Sequence, residues 1–295
     1  MKSKLPFDQR DGFLWFNGKI IPWAEVKIHP LNHGLSYGSS IFEGERVYNG
    51  KIFKSLEHSK RFFNSAQLMN MEIGYTTEQL EDAKMQCINL NQISYGYMKV
   101  MAWRGSEDLT VFGNKTSTHL IISVWEVGEN FNNDKVTNGI KIGISKWRKA
   151  PGDCFPYQAK IGGGYVVNTL IKHEMDKRAL DDGLILDYQG NIAEASSSNF
   201  FAVKDNILYT PIPDCFLNGI TRQTVIEIAK KNNIKVAECQ ISSDELKNFS
   251  EIFLTGTAAE IIPVTQIEDK KYSIGPITNF LIEQYKSLTN NLAQL

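Results

Sequence analysis

Lys160-Ile161-Gly162-Gly163-Gly164-Tyr165 sets a lysine beside three glycines and a tyrosine. Such glycines free the backbone for a tight strand-to-helix turn, or for close approach of a ligand. A lysine fixed there is a candidate Schiff-base nucleophile, provided burial or a nearby cation lowers its pKa. A solvated lysine before a glycine-rich loop reads the same way, and the G-x-x-x-x-G-K-[ST] order of a P-loop is absent. Leu217-Asn218-Gly219-Ile220-Thr221-Arg222 stands directly before a helical pattern. Free N–H groups, a hydroxyl and the positive end of the helix dipole suit a phosphate there, although an ordinary helix start shares these features. Leu254-Thr255-Gly256-Thr257-Ala258-Ala259-Glu260 again places small residues and hydroxyls after an apolar strand. Two such turns and one candidate lysine point to a phosphorylated ligand. In Ile192-Ala193-Glu194-Ala195-Ser196-Ser197-Ser198-Asn199-Phe200, Glu194 is either a buried carboxylate facing a cationic ring nitrogen or a surface hairpin acid.

These residues need elements to position them. Asn17-Gly18 and Asn49-Gly50 each sit between apolar runs and predict two hairpins with primed turns. A helix is expected from Ser55, taken as its N-cap, with Leu56, Phe62, Phe63, Ala66 and Met69 roughly on one side. Another starts at Thr76, with Gln79 as capping-box partner, and runs to about Leu90. Strands follow at Tyr97–Trp103 and His119–Trp125. Residues 128–139 are polar, Asn-rich and aperiodic, which predicts a linker. Beyond it come a strand from Ile140, the glycine turn, a helix over about 165–179, hairpins around Gln189-Gly190 and Asp205-Asn206, a helix at Thr221–Lys231, two strands and a final helix from about Pro276. The expected division is 1–128 and 140–295, joined by 129–139.

The chain has 295 residues, about twice the common domain size of about 100–150, so two domains are expected. Its Lys plus Arg number 32 against 33 for Asp plus Glu, leaving no overall basic field for nucleic acid or an anionic membrane. No apolar run approaches the ~20 residues that span a bilayer. The first ten residues lack the apolar core of a signal peptide. Cys87, Cys154, Cys215 and Cys239 form no C-x-x-C pair and read as buried thiols in a reducing cytoplasm. No metal site is expected.

Taken in order, Lys160-x-Gly162-Gly163-x-Tyr165, Glu194-x4-Asn199, Leu217-x-Gly219-Ile220-Thr221-Arg222 and Gly256-Thr257-Ala258-Ala259-Glu260 resemble the class IV, or fold type IV, PLP-dependent aminotransferases. Within them the chain is most similar to the branched-chain amino acid aminotransferases. His33-Gly34-Leu35-x-Tyr37-Gly38-x-x-Ile41-Phe42-Glu43-Gly44 and the helix carrying Arg61 agree with the N-terminal signature of that family, and the similarity runs from about Phe13 to Ser287. The resemblance implies an α+β fold: a smaller N-terminal α/β domain and a larger C-terminal domain with a β-barrel-like core. It implies pyridoxal 5'-phosphate linked to Lys160, which also shuttles the proton at substrate Cα. Glu194 would pair with the pyridine nitrogen and Tyr165 with the phenolic oxygen. Arg61, Ile220, Thr221 and Thr257 would hold the phosphate, with Gly219, Gly256 and Asn199 around them and Leu217 against the ring. The Thr257 and Ala258 amides would face the substrate carboxylate.

The same resemblance implies a branched aliphatic pocket from Tyr37, Phe42 and Tyr97, with Arg46 close by and residues near Val111 lent by a partner subunit. A homodimer or higher homo-oligomer acting on amino acids and 2-oxo acids follows from it. One position departs from the family: where bacterial branched-chain enzymes commonly carry Tyr-x-Arg, this chain reads Tyr97-Met98-Lys99. The family arginine helps receive the distal carboxylate of glutamate. Lysine keeps the charge but loses the bidentate fork, and Arg104 is a candidate helper. The R-x-x-x-R-x-H carboxylate trap of D-amino acid transaminases is missing after Tyr97, which lowers that reading. Aminodeoxychorismate lyase shares the lysine, the glutamate and the phosphate cup.

Overall fold

Asn17 and Gly18 both take positive φ, 47° and 88°, and close a hairpin between β1 (Phe13–Phe16) and β2 (Lys19–Pro22). This is the computed structural model of the chain, and it describes residues 5–129 and 131–294. Asn49 and Gly50 turn the chain in the same way, φ 51° and 74°, after α1 (His33–Tyr37), from β3 (Ser40–Tyr48) to β4 (Lys51–Ile52). Helices α2 (Ser55–Leu68) and α3 (Thr77–Leu90) follow, then β5 (Gly96–Arg104) and β6 (Thr118–Glu126). Thr76 and Gln79 make the expected capping box. Ser55 is not an N-cap: it is the first helical residue, and Lys54, at φ 55°, turns the chain into α2 instead.

The strands form one antiparallel sheet in the order β2-β1-β6-β5-β3-β4. Period-two alternation gives it two unlike faces. Ile41, Glu43, Glu45 and Val47 of β3 share one face with Ala102, Val100 and Met98 of β5. That face is buried beneath α2 and α3, which supply Phe62, Ala66, Leu80, Ala83 and Ile88. Burying each large side chain there contributes about 1.5–3 kcal/mol.

Two acids lie inside this core, and each has cationic partners. Lys84 of α3, itself buried, reaches Glu45 at 2.9 Å, Glu81 at 3.0 Å and the Ser59 hydroxyl at 2.6 Å. Burial still outweighs the nearby ammonium and raises the Glu45 carboxyl above its ordinary value. Removing one partner strands the other charge, so Lys84→Met is expected to cost about 3–5 kcal/mol in urea unfolding. The Glu45→Met/Lys84→Met double variant should recover most of that loss; if it is no more stable than the single variant, the buried pair is not the cause.

The second half opens with α4 (Asn133–Asn138), a short helix inside the stretch read as linker, whose Asn130 lies outside the described residues. Asn132 Nδ2 there donates to the Ala258 carbonyl at 2.6 Å. Next come β7 (Ile140–Lys149), α5 (Val166–Lys177), β8 (Asp182–Asp187), β9 (Ile192–Ala195), β10 (Asn199–Lys204) and β11 (Ile207–Pro211). They are followed by α6 (Ile220–Lys231), β12 (Lys235–Cys239), β13 (Glu251–Gly256), β14 (Glu260–Ile267), β15 (Lys270–Lys271) and α7 (Pro276–Asn290). The sheet order β10-β13-β14-β7-β8-β9 closes because β9 pairs back onto β10, giving a six-stranded barrel. Closure removes the open edges of those strands. Ile140, Ile142, Leu184, Leu186, Phe200, Ala202, Leu254, Ile262 and Val264 fill one shared core, the barrel interior.

By contact density the chain divides into two compact units. One holds residues up to Glu129 together with Ala159–Gly164, and the other holds the remainder. The α+β class with a barrel core agrees with expectation. The excursion of 159–164 into the first unit matters most for the site, because it carries Lys160. Of the four free thiols, Cys87 and Cys215 are buried while Cys154 is exposed.

Candidate active site

In the first unit, Lys160 is held by its backbone at three points. Its carbonyl accepts from the Phe42 N–H at 3.0 Å, its N–H donates to the Ser65 hydroxyl at 3.0 Å, and the adjacent Ile161 bridges Ile41. The Ser65 hydroxyl in turn donates to the Arg61 carbonyl at 2.9 Å, so one serine ties α2 to the Lys160 segment. The glycines that follow let the chain run against α1: Gly163 N–H donates to the Gly38 carbonyl at 3.3 Å, and a Cβ on Gly163 would meet that oxygen at 3.1 Å. The Lys160 ammonium lies 4.7 Å from the Phe42 ring centroid.

Arg61 is fixed from behind. Its Nε and Nη2 donate to the two oxygens of Glu43 at 2.6 and 2.8 Å, a bidentate pair. His58, one turn earlier on α2, meets the same carboxylate at 2.7 Å. Burial alone would raise the Glu43 carboxyl, but Arg61 and His58 together hold it well below the usual carboxylate range.

The other face of the sheet is not covered by α2 and α3. The register puts Phe42, Gly44 and Arg46 of β3 opposite Met101, Lys99 and Tyr97 of β5, and these in turn opposite Ile121, Ser123 and Trp125 of β6. Four of the five expected substrate-side residues of the first unit, Phe42, Arg46, Tyr97 and Lys99, therefore share one surface. Gly44 is required there: a Cβ would stand 1.8 Å from the Tyr97 hydroxyl, which leans across it. Lys99 Nζ rests 5.0 Å from the same Phe42 ring. Burial, and then the Lys160 charge, lower the Lys99 ammonium below its ordinary value. Tyr37 is different, being half exposed on α1 with its hydroxyl donating to the Leu109 carbonyl at 3.0 Å. Arg104 does not help Lys99. Its side chain donates to the Met69 and Asn70 carbonyls at 2.8 and 2.9 Å, satisfying the end of α2.

In the second unit, Glu194, Asn199 and Thr255 are direct register partners across β9, β10 and β13. They point to the outside of the barrel, as does Ile185 beside Glu194, which packs against α5. At ~4.8 Å per strand, the row from Glu194 to Thr255 spans about 10 Å. Asn199 hangs the next segment from this row: Nδ2 donates to the Leu217 carbonyl at 3.0 Å, and Oδ1 accepts from Gly219 N–H at 3.1 Å. A Cβ on Gly219 would lie 2.2 Å from that Oδ1, so only glycine fits. Gly219 opens α6 without any side-chain cap, leaving the first amides, Ile220 and Thr221, at an uncapped helix start. Tyr165 precedes α5, whose Asn168 side chain donates to the Ser196 carbonyl. Gly256, Thr257 and Ala258 form the turn from β13 to β14. Glu194 is buried and paired with Lys149 at 2.8 Å. Burial would lower the Lys149 ammonium; the Glu194 carboxylate overrides it and holds the group above its ordinary value.

Comparison with known proteins decides which family these residues belong to. Residues 40–267 match the family Amino-transferase class IV. A probable branched-chain-amino-acid aminotransferase of Rickettsia bellii is 38% identical over 92% of this chain and 94% of its own length. The branched-chain-amino-acid aminotransferase of Pseudomonas aeruginosa is 33% identical, over 95% and 94%. A T.th. branched-chain amino acid aminotransferase, solved with pyridoxamine 5'-phosphate, superposes with a TM-score of 0.92 at 35% identity, covering 96% of this chain and 95% of that one. The chain belongs to the class IV aminotransferases.

For a class IV aminotransferase the residues present fit a phosphorylated pyridine cofactor. Among the described residues, the buried hydroxyls of Ser196 and Thr255 have no hydrogen-bond partner, and both lie beside the Glu194–Asn199 row. Buried orphan donors of this kind are costly unless a ligand satisfies them. No cluster of His, Cys, Asp or Glu suited to a metal occurs among the described residues.

Sequence reasoning missed Lys149, His58 and Ser65. The only local trace of the Arg61 clamp is His58 and Arg61 at i, i+3 on one helix, facing an acid from a distant strand. Glu43 is ionised in the native state at a pH where an unfolded carboxylate is not, so its stabilisation is complete above about pH 5 and fades as pH falls below the unfolded value of about 4.3. Glu43→Gln should cost about 3–5 kcal/mol in urea unfolding at pH 7, with the gap to wild type narrowing as pH falls below about 4. A gap that stays constant from pH 7 to 3 would contradict this account.

Proposed function

We propose that this class IV aminotransferase transfers the amino group of L-leucine, L-isoleucine or L-valine to 2-oxoglutarate, giving a branched 2-oxo acid and L-glutamate. Its cofactor is pyridoxal 5'-phosphate, which when bound supplies the electron sink that the chemistry at Cα needs. Lys160 Nζ is the covalent anchor and carries the proton from substrate Cα. Arg61, with Glu43 behind it, grips phosphate, as do the Ile220 and Thr221 amides, the Thr221 hydroxyl and Thr257. Glu194, paired with Lys149, holds the proton on the pyridine nitrogen. Tyr165 donates to the phenolic oxygen, and Leu217 packs on the ring. Gly219, Gly256 and Asn199 shape the backbone for these contacts. The Thr257 and Ala258 amides receive the substrate carboxylate.

The observation that carries the substrate reading is the shared face of Phe42, Tyr97, Met101 and Trp125, with the Lys160 ammonium against Phe42. Apolar and aromatic surface beside the reacting amine selects an aliphatic side chain. The relatives above are named branched-chain enzymes rather than D-amino acid transaminases or lyases. We also propose a homodimer, because Val111 and Phe112 are 77% and 76% exposed at the end of the loop that Tyr37 holds through Leu109. Such an apolar tip is suited to a second copy, with residues near Val111 lent across. The free thiols support a reducing, cytoplasmic location. No helix among the described residues is long and apolar enough to cross a membrane.

The test is spectroscopic. Purified protein with pyridoxal 5'-phosphate should be yellow, bleach with L-leucine and recover with 2-oxoglutarate, whereas Lys160→Ala should lose the borohydride-reducible link and at least about a thousandfold in turnover. Bleaching by D-alanine and not by L-leucine would move the enzyme to the D-amino acid branch.

A further inference from the structure

Lys149 closes β7, and Glu194 lies two strands away on β9, with β8 between them. At ~4.8 Å per strand, regular pairing would set their backbones about 10 Å apart. Both intervening pairings are irregular here: β7 shifts register against β8 between Ile144 and Arg148, and β8 against β9 between Ile185 and Leu186. Bulges of this kind re-aim side chains beside functional sites. Lys149 Nζ passes 5.5 Å from the ring centroid of Tyr157, which packs on Ala193, Cys215 and Phe216. It then meets a Glu194 carboxylate oxygen at 2.8 Å, each side chain being 11% exposed. Besides burial, Glu194, Tyr157 and Cys215 act on the ammonium. The last two are uncharged near neutral pH, because burial raises the Tyr157 hydroxyl and brings the Cys215 thiol to about 11. Asp187, the register partner of Lys149 on β8, spends its carboxylate on the Gln189 and Asn191 amides at 2.9 and 2.7 Å. A buried ion pair is a weak source of stability, since desolvation offsets most of the attraction. This one stands at the head of the Glu194–Asn199–Thr255 row, outside the barrel core, where the orphan hydroxyls of Ser196 and Thr255 await a ligand.

We propose that Lys149 is a positioning residue for the proton between Glu194 and the cofactor: its charge keeps that proton on the pyridine nitrogen and off the carboxylate. This rests on the reading of Glu194 as the partner of that nitrogen. Such a proton has two places. On the carboxylate, it leaves both groups neutral; on the nitrogen, it leaves a negative carboxylate against a positive ring. Moving it breaks the Glu194 O–H bond and forms the ring N–H bond, and no other atom changes hands. A site shielded from water favours the neutral arrangement, because burial disfavours charged forms. An ammonium 2.8 Å from the carboxylate reverses that preference. Two donors on one carboxylate stand farther from each other than from it. Lys149 therefore gains more from the negative carboxylate than it loses to the positive ring. The strength of the electron sink then depends on a residue with no need to touch the cofactor.

The experiment reads the proton directly, by nitrogen NMR of holoenzyme loaded with pyridoxal 5'-phosphate carrying a nitrogen-15 label in the ring. Pyridinium and neutral pyridine nitrogens resonate at well-separated positions. Wild type should show the pyridinium position, and Lys149→Met should move the resonance most of the way to the neutral one. Lys149→Gln, which keeps a hydrogen-bond donor without the charge, should behave as Lys149→Met does, and Lys149→Arg should stay with wild type. The kcat for L-leucine should fall about ten- to hundredfold in Lys149→Met with KM little changed, the worth of one charge-assisted interaction. A pyridinium resonance that survives in both Lys149→Met and Lys149→Gln overturns the proposal. So does a neutral ring in Lys149→Arg, since charge would then not be what acts. Glu194→Gln is the control for the reading beneath it and should give a neutral ring. If Glu194→Gln keeps the pyridinium position, the pairing of Glu194 with the ring falls; if it loses that position while the Lys149 variants keep it, only the role of Lys149 falls.

Discussion

Strand β3 has an edge that its hairpin partner covers only in part, and the placement of Lys160 depends on it. β4 is two residues long and pairs with Val47 and Tyr48 alone. The beginning of β3 would otherwise present unpaired N–H and C=O groups, which is unfavourable wherever they are shielded from water. The Lys160–Ile161 segment fills that place through the Phe42 N–H and the bridge to Ile41. A long β4 would occupy the same groups and displace the lysine. The shortness of one hairpin arm thus decides where a nucleophile can sit, although the two are more than a hundred residues apart in sequence.

The same strand separates two tasks by alternation. Odd positions Glu43 and Glu45 enter the helix-covered core, where cations from α2 and α3 meet them; even positions Phe42, Gly44 and Arg46 form the opposite surface. Because the side-chain period is two, a register slip of one would bury Arg46 under the helices and expose both acids. The ion pairs therefore act as a register lock as well as a local clamp. In the second unit the lock is glycine: Gly219 cannot carry a side chain while Asn199 holds its N–H, so the start of α6 is fixed to the row containing Glu194.

What was legible in the sequence was local. The Asn-Gly turns, the Thr76–Gln79 box and the α6 start are encoded within a few residues, and the structure has them in place. Lys54 could not be foreseen as the turn into α2, since a lysine at positive φ has no compositional signal and Ser55 offered the commoner solution. The barrel was legible only through resemblance, because closure rests on the single pairing of Asn199 with Glu194, two residues of one motif that nothing in their spacing marks as neighbours across strands. Arg104 misled for a related reason: its nearness in sequence to Lys99 is irrelevant once strand alternation turns it to the other face and the end of α2 claims it. Lys149 was invisible because an ion pair between residues 45 positions apart leaves no pattern in either segment.

Glu43 and Glu194 show how charge can be prepared before any ligand arrives. Each is buried, and each is held against a cation already in place: Arg61 for one, Lys149 for the other. The consequence differs by partner. Glu43 takes two of the five N–H donors of a guanidinium in the plane of the fork, which orients Arg61 without exhausting it. Lys149 is a point charge that pairs with Glu194 at 2.8 Å without imposing a plane on the carboxylate. An arginine suits the site where the cation itself must be aimed, and a lysine suits the site where a point charge serves.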